Sequence, residues 1–406
     1  WGLAIATFLM AIMYLCLVYS IAELSAALPH AGGFYSFTRN AFNPFWGFIC
    51  GMAVAAEFIL TVATIVVSAT DYLKPLMPDV PSYLVWLVLY GIFLGINIRG
   101  VKLTLHVSLW LSLVAIMVLG IFYVSMLVSG VFNPELLFNV PADPGQSETW
   151  LPKGWPGVLA AIPYAIWFYL AIEQLPMTAE ETRHVPRNMP KGLTLAMITL
   201  IILSVLTLVL NSGVGGGAAA IGQSTVPLGD GFEAYFGQGS TSTIVTTIAL
   251  VSGMIVTVNG DIHPYGRVLF SLSRAGYIPR WISVTNQNYA PHRALILGTI
   301  IGFICAAIIN ASGGAVRQML LNMSVFGALI SYILVMFSYI KLKSSRPDLP
   351  RPYTSPLGIQ GASLGAGLAI FAVLACLTVP DYRPGLWGIL LFLFVAMLYF
   401  WFSGKN

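Results

Sequence analysis

The chain has 406 residues, 58% of them hydrophobic and only 8% charged, with a formal net charge of +4. A soluble domain carries about 25% charged residues on its skin, so a cytosolic enzyme, a disordered chain and a secreted disulfide scaffold are excluded. A small positive charge scattered over loops is no phosphate-tracking stripe, which excludes a nucleic-acid partner and leaves a multi-span protein with the lipid bilayer as its solvent.

Eleven apolar runs follow in chain order, at 3–22, 45–70, 83–96, 105–130, 157–177, 193–212, 242–273, 294–311, 316–340, 361–380 and 386–403. A helix needs about 20 such residues to cross the hydrocarbon. The run 83–96 is short and is expected to borrow its flanks. None alternates with period two, so helices that close their own backbone hydrogen bonds are expected rather than a barrel. The stretches 131–156 and 213–241, rich in Gly, Pro, Ser and Thr, read as irregular connectors. The stretch 341–360 sets Lys341, Lys343, Arg346 and Arg351 among prolines and reads as a stiff spacer at the membrane surface. Cys16, Cys50, Cys305 and Cys376 are isolated in apolar runs, with no metal-ligand spacing between them.

Lysine and arginine alternate between loops. Arg39, Arg99, Lys102, Arg183, Arg187, Lys191, Arg274, Arg280, Arg293, Lys341, Lys343, Arg346, Arg351 and Lys405 fall on one side, against Lys74, Lys153, Arg317 and Arg383 on the other. The positive-inside rule places the larger set and the C-terminus in the cytoplasm. An odd number of spans then puts Trp1 outside with no cleavable signal ahead of it. At least one further helix upstream is therefore expected, in a twelve-helix parent with both termini in the cytoplasm of a cell whose inner or plasma membrane holds the protein.

Ionisable groups within spans are costly and point to function by default. Glu57 lies in the middle of 45–70, Glu173 late in 157–177, and Asp261, His263 and Arg267 in 242–273, with Asn259 a further polar candidate nearby. For Glu57 a functional role and a structural hydrogen bond both stand open. Asp261 is followed at i+4 by Tyr265 and His263 by Arg267, so internal neutralisation of that helix is expected. Glu23, at the end of the first run, reads as an anchoring group. The deep set is acid-rich, which suits a cationic ligand, a coupling proton or a metal cation.

Glu173 closes the segment 162–176, in which Pro163 and Pro176 bracket Trp167, Phe168 and Tyr169. Each proline removes a donor and frees an upstream carbonyl. A broken helix at membrane depth is tolerated where it lines a cavity or is buried in protein. Freed carbonyls accept from an ammonium, aromatic faces attract a cation, and a carboxylate completes a cation site. The competing reading is a kinked but unbroken helix with core aromatics. No HExxH motif or nucleophile–base pair stands at membrane depth, so no enzyme, catalytic residue or metal is expected.

These residues resemble the amino acid–polyamine–organocation permeases. The phrase Glu23–Tyr35 is similar to the loop after their second helix, and Glu173 with Ala179-Glu180-Glu181 to the end of their sixth. Leu272–Arg280 is similar to the exit of the eighth helix, Asn322–Tyr332 to the tenth, and Arg351-Pro352-Tyr353 to the loop that follows. Ile162–Glu173 and Leu272–Pro279 most resemble the ethanolamine permease branch. The resemblance implies an all-α, five-plus-five inverted-repeat transporter with broken first and sixth helices facing each other at the midplane. One permease domain, 1–406, would then hold helices 2–5 in 1–130, helices 6–10 in 157–342 and helices 11–12 in 361–403. It implies that Trp167 and Phe168 line the substrate site and that carbonyls around Tyr169 and Leu170 take the ammonium. Glu173 would serve as counter-charge or proton sensor, with Glu57, Asp261 and Asn259 in proton coupling or support. The expected cargo is a small cationic amine, ethanolamine above all, or an amino acid; no cofactor is expected, and the coupling ion is H+ or Na+.

Overall fold

The computed structural model describes residues 1–403 except 75, 225–226, 238–239 and 313, and leaves the side chains of 240–243 and 245 undescribed. Lys405, counted above among the basic residues, lies outside the described residues. Each apolar run lies on helix, with 157–177 broken by a turn at 168–171, and among the described residues there is no strand. In chain order the helices are α1 (Gly2–Ala27), α2 (Phe34–Ala41), α3 (Pro44–Leu73), α4 (Ser82–Ile98), α5 (Val101–Val128), α6 (Gly154–Trp167) and α7 (Val185–Ser212). They continue with α8 (Gly217–Ile221), α9 (Pro227–Phe236), α10 (Ser240–Arg274), α11 (His292–Ser312), α12 (Gly314–Ser345), α13 (Gly358–Thr378) and α14 (Arg383–Phe402). A tight 3-10 stretch, Ile172–Glu181, continues the line of α6 after a break. Counting that pair as one, nine elements among the described residues are long and apolar enough to cross a membrane, with α4 as a shorter apolar helix of 17 residues.

The central column is α3. It starts where Asn43 accepts a hydrogen bond from the Trp46 N–H at 3.1 Å, with Pro44 in the first turn, where the missing N–H costs nothing. Its most apolar window is 89% buried, against 17% for α5 and 22% for α7. The helix is apolar all round because it is packed all round, by α10, α11 and α12 among others. Gly327 of α12 allows one of these approaches: a Cβ there would lie 2.9 Å from the Ala53 carbonyl oxygen and against Glu57. Exposed apolar side chains such as Trp110, Leu127 and Leu195 lie on α5 and α7, as helices facing acyl chains require.

The basic-rich face is tied together through Glu23, whose carboxylate is 2% exposed. It accepts from Tyr339 Oη at 2.7 Å, Lys343 Nζ at 2.6 Å and the Ser355 N–H at 2.8 Å, and it pairs with Arg351 Nε at 3.0 Å. The Arg351 guanidinium also donates to the carbonyls of Leu342 and Arg346, closing the C-terminal end of α12. The spacer 341–360 is thus folded back on the bundle, and Glu23 is the anchoring group its position suggested.

Two expectations change. The connectors 131–156 and 213–241 are not wholly irregular: they hold a 3-10 turn at Pro134–Phe138 and the helices α8 and α9. Phe232 of α9 stacks on Phe122 of α5 with ring centroids 4.6 Å apart, which gives this polar-looking stretch an apolar anchor. Arg317, read as a loop residue, lies in the first turn of α12 and pairs with Asp71 at the far end of α3 at 2.7 Å.

Candidate functional site at a broken helix

The line of α6 stops at Trp167, four residues after Pro163, and the backbone turns through 168–171 before the 3-10 stretch begins. Ala171 occupies the left-handed region with φ 75°, a conformation that costs an L-residue roughly 1–2 kcal/mol. What holds it there is local. The Ala171 N–H donates to Glu173 Oε1 at 3.1 Å, so a carboxylate caps the N-terminal end of the second half-helix. Among the described residues none donates to the carbonyls of Phe168, Tyr169 or Leu170. The break leaves three backbone acceptors free in the protein interior, where they would otherwise be satisfied.

Three acids from three elements meet beside the break. Glu173, Glu57 of α3 and Asp261 of α10 are 0%, 1% and 1% exposed. Glu57, Glu173 and Asp261 are close enough to one another to interact electrostatically. Both oxygens of Glu57, Oε2 of Glu173 and Oδ2 of Asp261 lack a hydrogen-bond donor among the described residues. Lysines and arginines form ion pairs elsewhere, but among the described residues no lysine, arginine or histidine pairs with any of the three. Burying charge without a partner is strongly unfavourable, so this arrangement calls for a cation, a proton or both.

Tyr14 of α1 and Tyr332 of α12 close the cluster. The Tyr14 hydroxyl donates to the Tyr332 hydroxyl at 3.3 Å and stands 3.5 Å from the Ile166 carbonyl, just before the break. Both tyrosines lie within electrostatic range of Glu173 and Glu57. The sequence reading missed them because a tyrosine in an apolar helix carries no signal of its own, although Tyr332 ends the phrase 322–332.

The other expected residues are placed as follows. Tyr169 turns its hydroxyl away from the acids, to Ser204 Oγ of α7 at 2.9 Å, and its ring packs against Tyr14. Trp167, Phe168 and Leu170 are partly buried and pack on the main core, Phe168 with its ring 6.4 Å from that of Tyr169. Asn259 stands apart from the acids: its amide donates to Ser108 Oγ at 2.7 Å, and its oxygen accepts from Asn97 at 3.3 Å, which ties α10 to α5 and α4. The internal neutralisation expected for α10 does not form. The Tyr265 hydroxyl bonds to Thr299 at 2.8 Å, Arg267 pairs with Glu181, and His263 Nε2 has no partner among the described residues. Asp261 is therefore left to the acidic cluster.

The far end of the same half-helix is latched to the basic-rich face. Glu180 Oε1 accepts from the Ala31 N–H at 3.0 Å and from Arg274 Nη2 at 3.2 Å, and Arg274 also donates to His30 Nε2 at 3.0 Å. Next to it the Arg267–Glu181 pair is largely buried. Together these contacts join the loop after α1, the second half-helix and the end of α10.

Comparison with known proteins agrees with this architecture. The sequence profile described as "Amino acid permease" matches residues 2–402. The chain is 26% identical to an uncharacterized transporter of Rhizobium meliloti (strain 1021), over 96% of this chain and 82% of that protein. It is 22% identical to the D-serine/D-alanine/glycine transporter of Escherichia coli (strain K12), over 92% and 80%. It is 23% identical to the branched-chain amino acid permease BcaP of Bacillus subtilis (strain 168), over 100% and 86%.

Proposed function

The chain belongs to the amino acid permease family, and on that premise we propose that it moves a small cationic amine, ethanolamine above all, across the cell membrane by alternating access. That it is a multi-pass membrane transporter and not an enzyme follows from the family and from its apolar helices. The observation that supports a cationic cargo is the charge of the site: buried carboxyls beside free carbonyls, with no cationic partner among the described residues. An ammonium would satisfy both kinds of acceptor at once, donating to the carbonyls of Phe168–Leu170 and pairing with Glu173. Trp167 and Phe168 would offer ring faces to it.

In this reading the protein keeps the five-plus-five repeat, with helices 2–5 in 1–130, helices 6–10 in 157–342 and helices 11–12 in 361–403. The basic-rich face and the C-terminus are cytoplasmic. The broken helix, α6 with Ile172–Glu181, is the sixth helix of the family.

An amino acid cargo is the second reading, favoured by the names of the relatives, which include D-serine, D-alanine, glycine and branched-chain amino acids. Labelled ethanolamine uptake into proteoliposomes, with glycine, alanine, arginine and putrescine as competitors, separates the two. Strong competition by putrescine and weak competition by glycine and alanine supports the amine. Uptake of alanine with no uptake of ethanolamine replaces it with the amino acid.

A further inference from the structure

We propose that an anionic phospholipid, from the leaflet on the basic-rich side, docks in a groove between α3, α11 and α14. One acyl chain lies along the groove, and the phosphate sits on Arg280 and Arg293. The site is on the outside of the bundle and does not depend on what the cargo is.

The body of the groove is apolar. Phe48 and Met52 of α3, Phe392 and Tyr399 of α14, Leu297 of α11 and Ile282 of the α10–α11 connection line a volume of about 390 Å³. Among the described residues that line it, Tyr399 alone carries a side-chain oxygen or nitrogen. From Phe392 to Tyr399 the helix rises about 10 Å along the groove, against about 15 Å for one leaflet's share of the hydrocarbon. The groove thus follows the direction of an acyl chain over most of its leaflet. All three helices contribute the same end: Phe48 lies in the second turn of α3, Leu297 in the second turn of α11 and Tyr399 near the last turn of α14. Trp46, Trp281 and Trp401 are exposed around that end, as residues at the headgroup level are.

The mouth is cationic. Arg280 follows Pro279 of the groove wall, and Arg293 lines a smaller groove of about 220 Å³ that shares Leu297 with the first. Arg39 lies over the Tyr277 ring at 5.9 Å, and that ring is 5.9 Å from Phe48. All three arginines are exposed, and among the described residues none pairs with a carboxylate. Glu23, Glu180 and Glu181, acids of this face, already have Lys343, Arg351, Arg274 and Arg267 as partners. Arg293 Nη1 donates to the Trp281 carbonyl at 3.3 Å, which positions the guanidinium beside the groove and leaves its other edge to a phosphate. An apolar body under a cationic mouth complements an anionic lipid at both ends. A second copy of the chain fits less well. Two copies in one membrane are related by an axis along its normal, so a self-complementary contact here would set arginines against arginines. A zwitterionic lipid fills the groove equally but brings its own ammonium to the mouth.

The test uses the full chain in mild detergent, mixed with phosphatidylglycerol and phosphatidylcholine of the same acyl chains, and native mass spectrometry counts the lipid retained. Phosphatidylglycerol should be retained in preference. That preference should fall about fivefold for each arginine removed in Arg280→Gln and Arg293→Gln, and about 25-fold in the double variant. The pair Arg280→Lys and Arg293→Lys keeps the charge and should keep the preference. Val395→Trp fills the groove from an exposed position and should lower retention of both lipids with the arginines intact. Equal retention of the two lipids by the unaltered chain overturns the proposal, as does an unchanged preference in the double glutamine variant. Loss of preference in the lysine pair as well assigns the effect to structure rather than charge and overturns it. Retention indifferent to Val395→Trp places the lipid elsewhere. Full displacement of the lipid by glycerol phosphate reduces the site to one for a soluble anion. A dimer in light scattering that Val395→Trp dissolves, without any lipid preference, gives the groove to a second copy; each of these three results overturns the proposal too.

Discussion

Glu173 has two demands on it, the Ala171 N–H at 3.1 Å and the proposed ammonium. Replacing it by glutamine keeps an acceptor for the N–H and removes the charge. A charge-assisted hydrogen bond is worth about 1.5–3 kcal/mol, so Glu173→Gln should cut amine uptake by about tenfold or more. Initial rates in proteoliposomes check this, and an unchanged rate removes Glu173 from the site. Trp167→Ala should weaken cargo binding by about 1–2 kcal/mol if the indole face meets the ammonium out of water; isothermal titration in detergent reads it. His30 gives a pH handle outside the spans. Burial first, and the Arg274 guanidinium next, hold its ring below the ordinary histidine value. Its two ring nitrogens face donors, Gly32 N–H and Arg274 Nη2, and a neutral ring can accept from only one of them, so a second ring proton would remove that remaining acceptor. Because the folded state favours the neutral ring, its stabilising contribution is present above the ordinary value of about 6.5 and is lost as the pH falls through the depressed one. Thermal stability in detergent should therefore fall on the acid side, and His30→Gln should blunt that loss. At this scale the acids were legible in the sequence, since a lone carboxylate in an apolar run is conspicuous. Tyr14 and Tyr332 were not, because what matters is their meeting across 318 residues of chain.

The broken helix shows what an element-level signal gives and withholds. The prolines announced an irregular span, yet the break lies between them: Pro163 remains inside α6, and Pro176 inside the 3-10 stretch. The turn falls at Ala171, which has no special backbone freedom, because the Glu173 carboxylate captures its N–H. Nothing in the identity of an alanine foretells a φ of 75°. Ala171→Gly relieves the left-handed strain at some cost in unfolded-state entropy, and should stabilise the protein by about 0.5–1 kcal/mol net. A raised thermal midpoint checks this; a lowered one means that the methyl group packs usefully. The helix α10 teaches the reverse lesson. Spacing at i+4 put Tyr265 with Asp261 and Arg267 with His263, but long side chains reach past their own helix. Tyr265 extends to Thr299 and Arg267 to Glu181, so partners on neighbouring helices outbid those on the same face.

For the whole molecule, the apolar spans and their order were legible because lipid allows only one way to satisfy a spanning backbone segment of this length, whereas the short helices α2, α8 and α9 were not. Which helix lies at the centre was not, since α3, α5 and α7 are all strongly apolar and differ only in what surrounds them. The Glu23 anchor joins α1, α12 and the spacer after it into one body. Glu23→Gln would leave Lys343 and Arg351 without their carboxylate, and should cost about 3 kcal/mol of stability, read as a lower thermal midpoint in detergent. The second half-helix is held differently, by Glu173 at one tip and by Glu180 and Glu181 at the other. It is in effect a short lever with its fulcrum at Ala171. The Arg274–Glu180 pair is half-exposed, 44% and 35%, and is easily screened, whereas the Arg267–Glu181 pair is sheltered. Added electrolyte on that side alone should loosen the outer clasp first and quicken the turnover of the lever, until the inner clasp sets the pace.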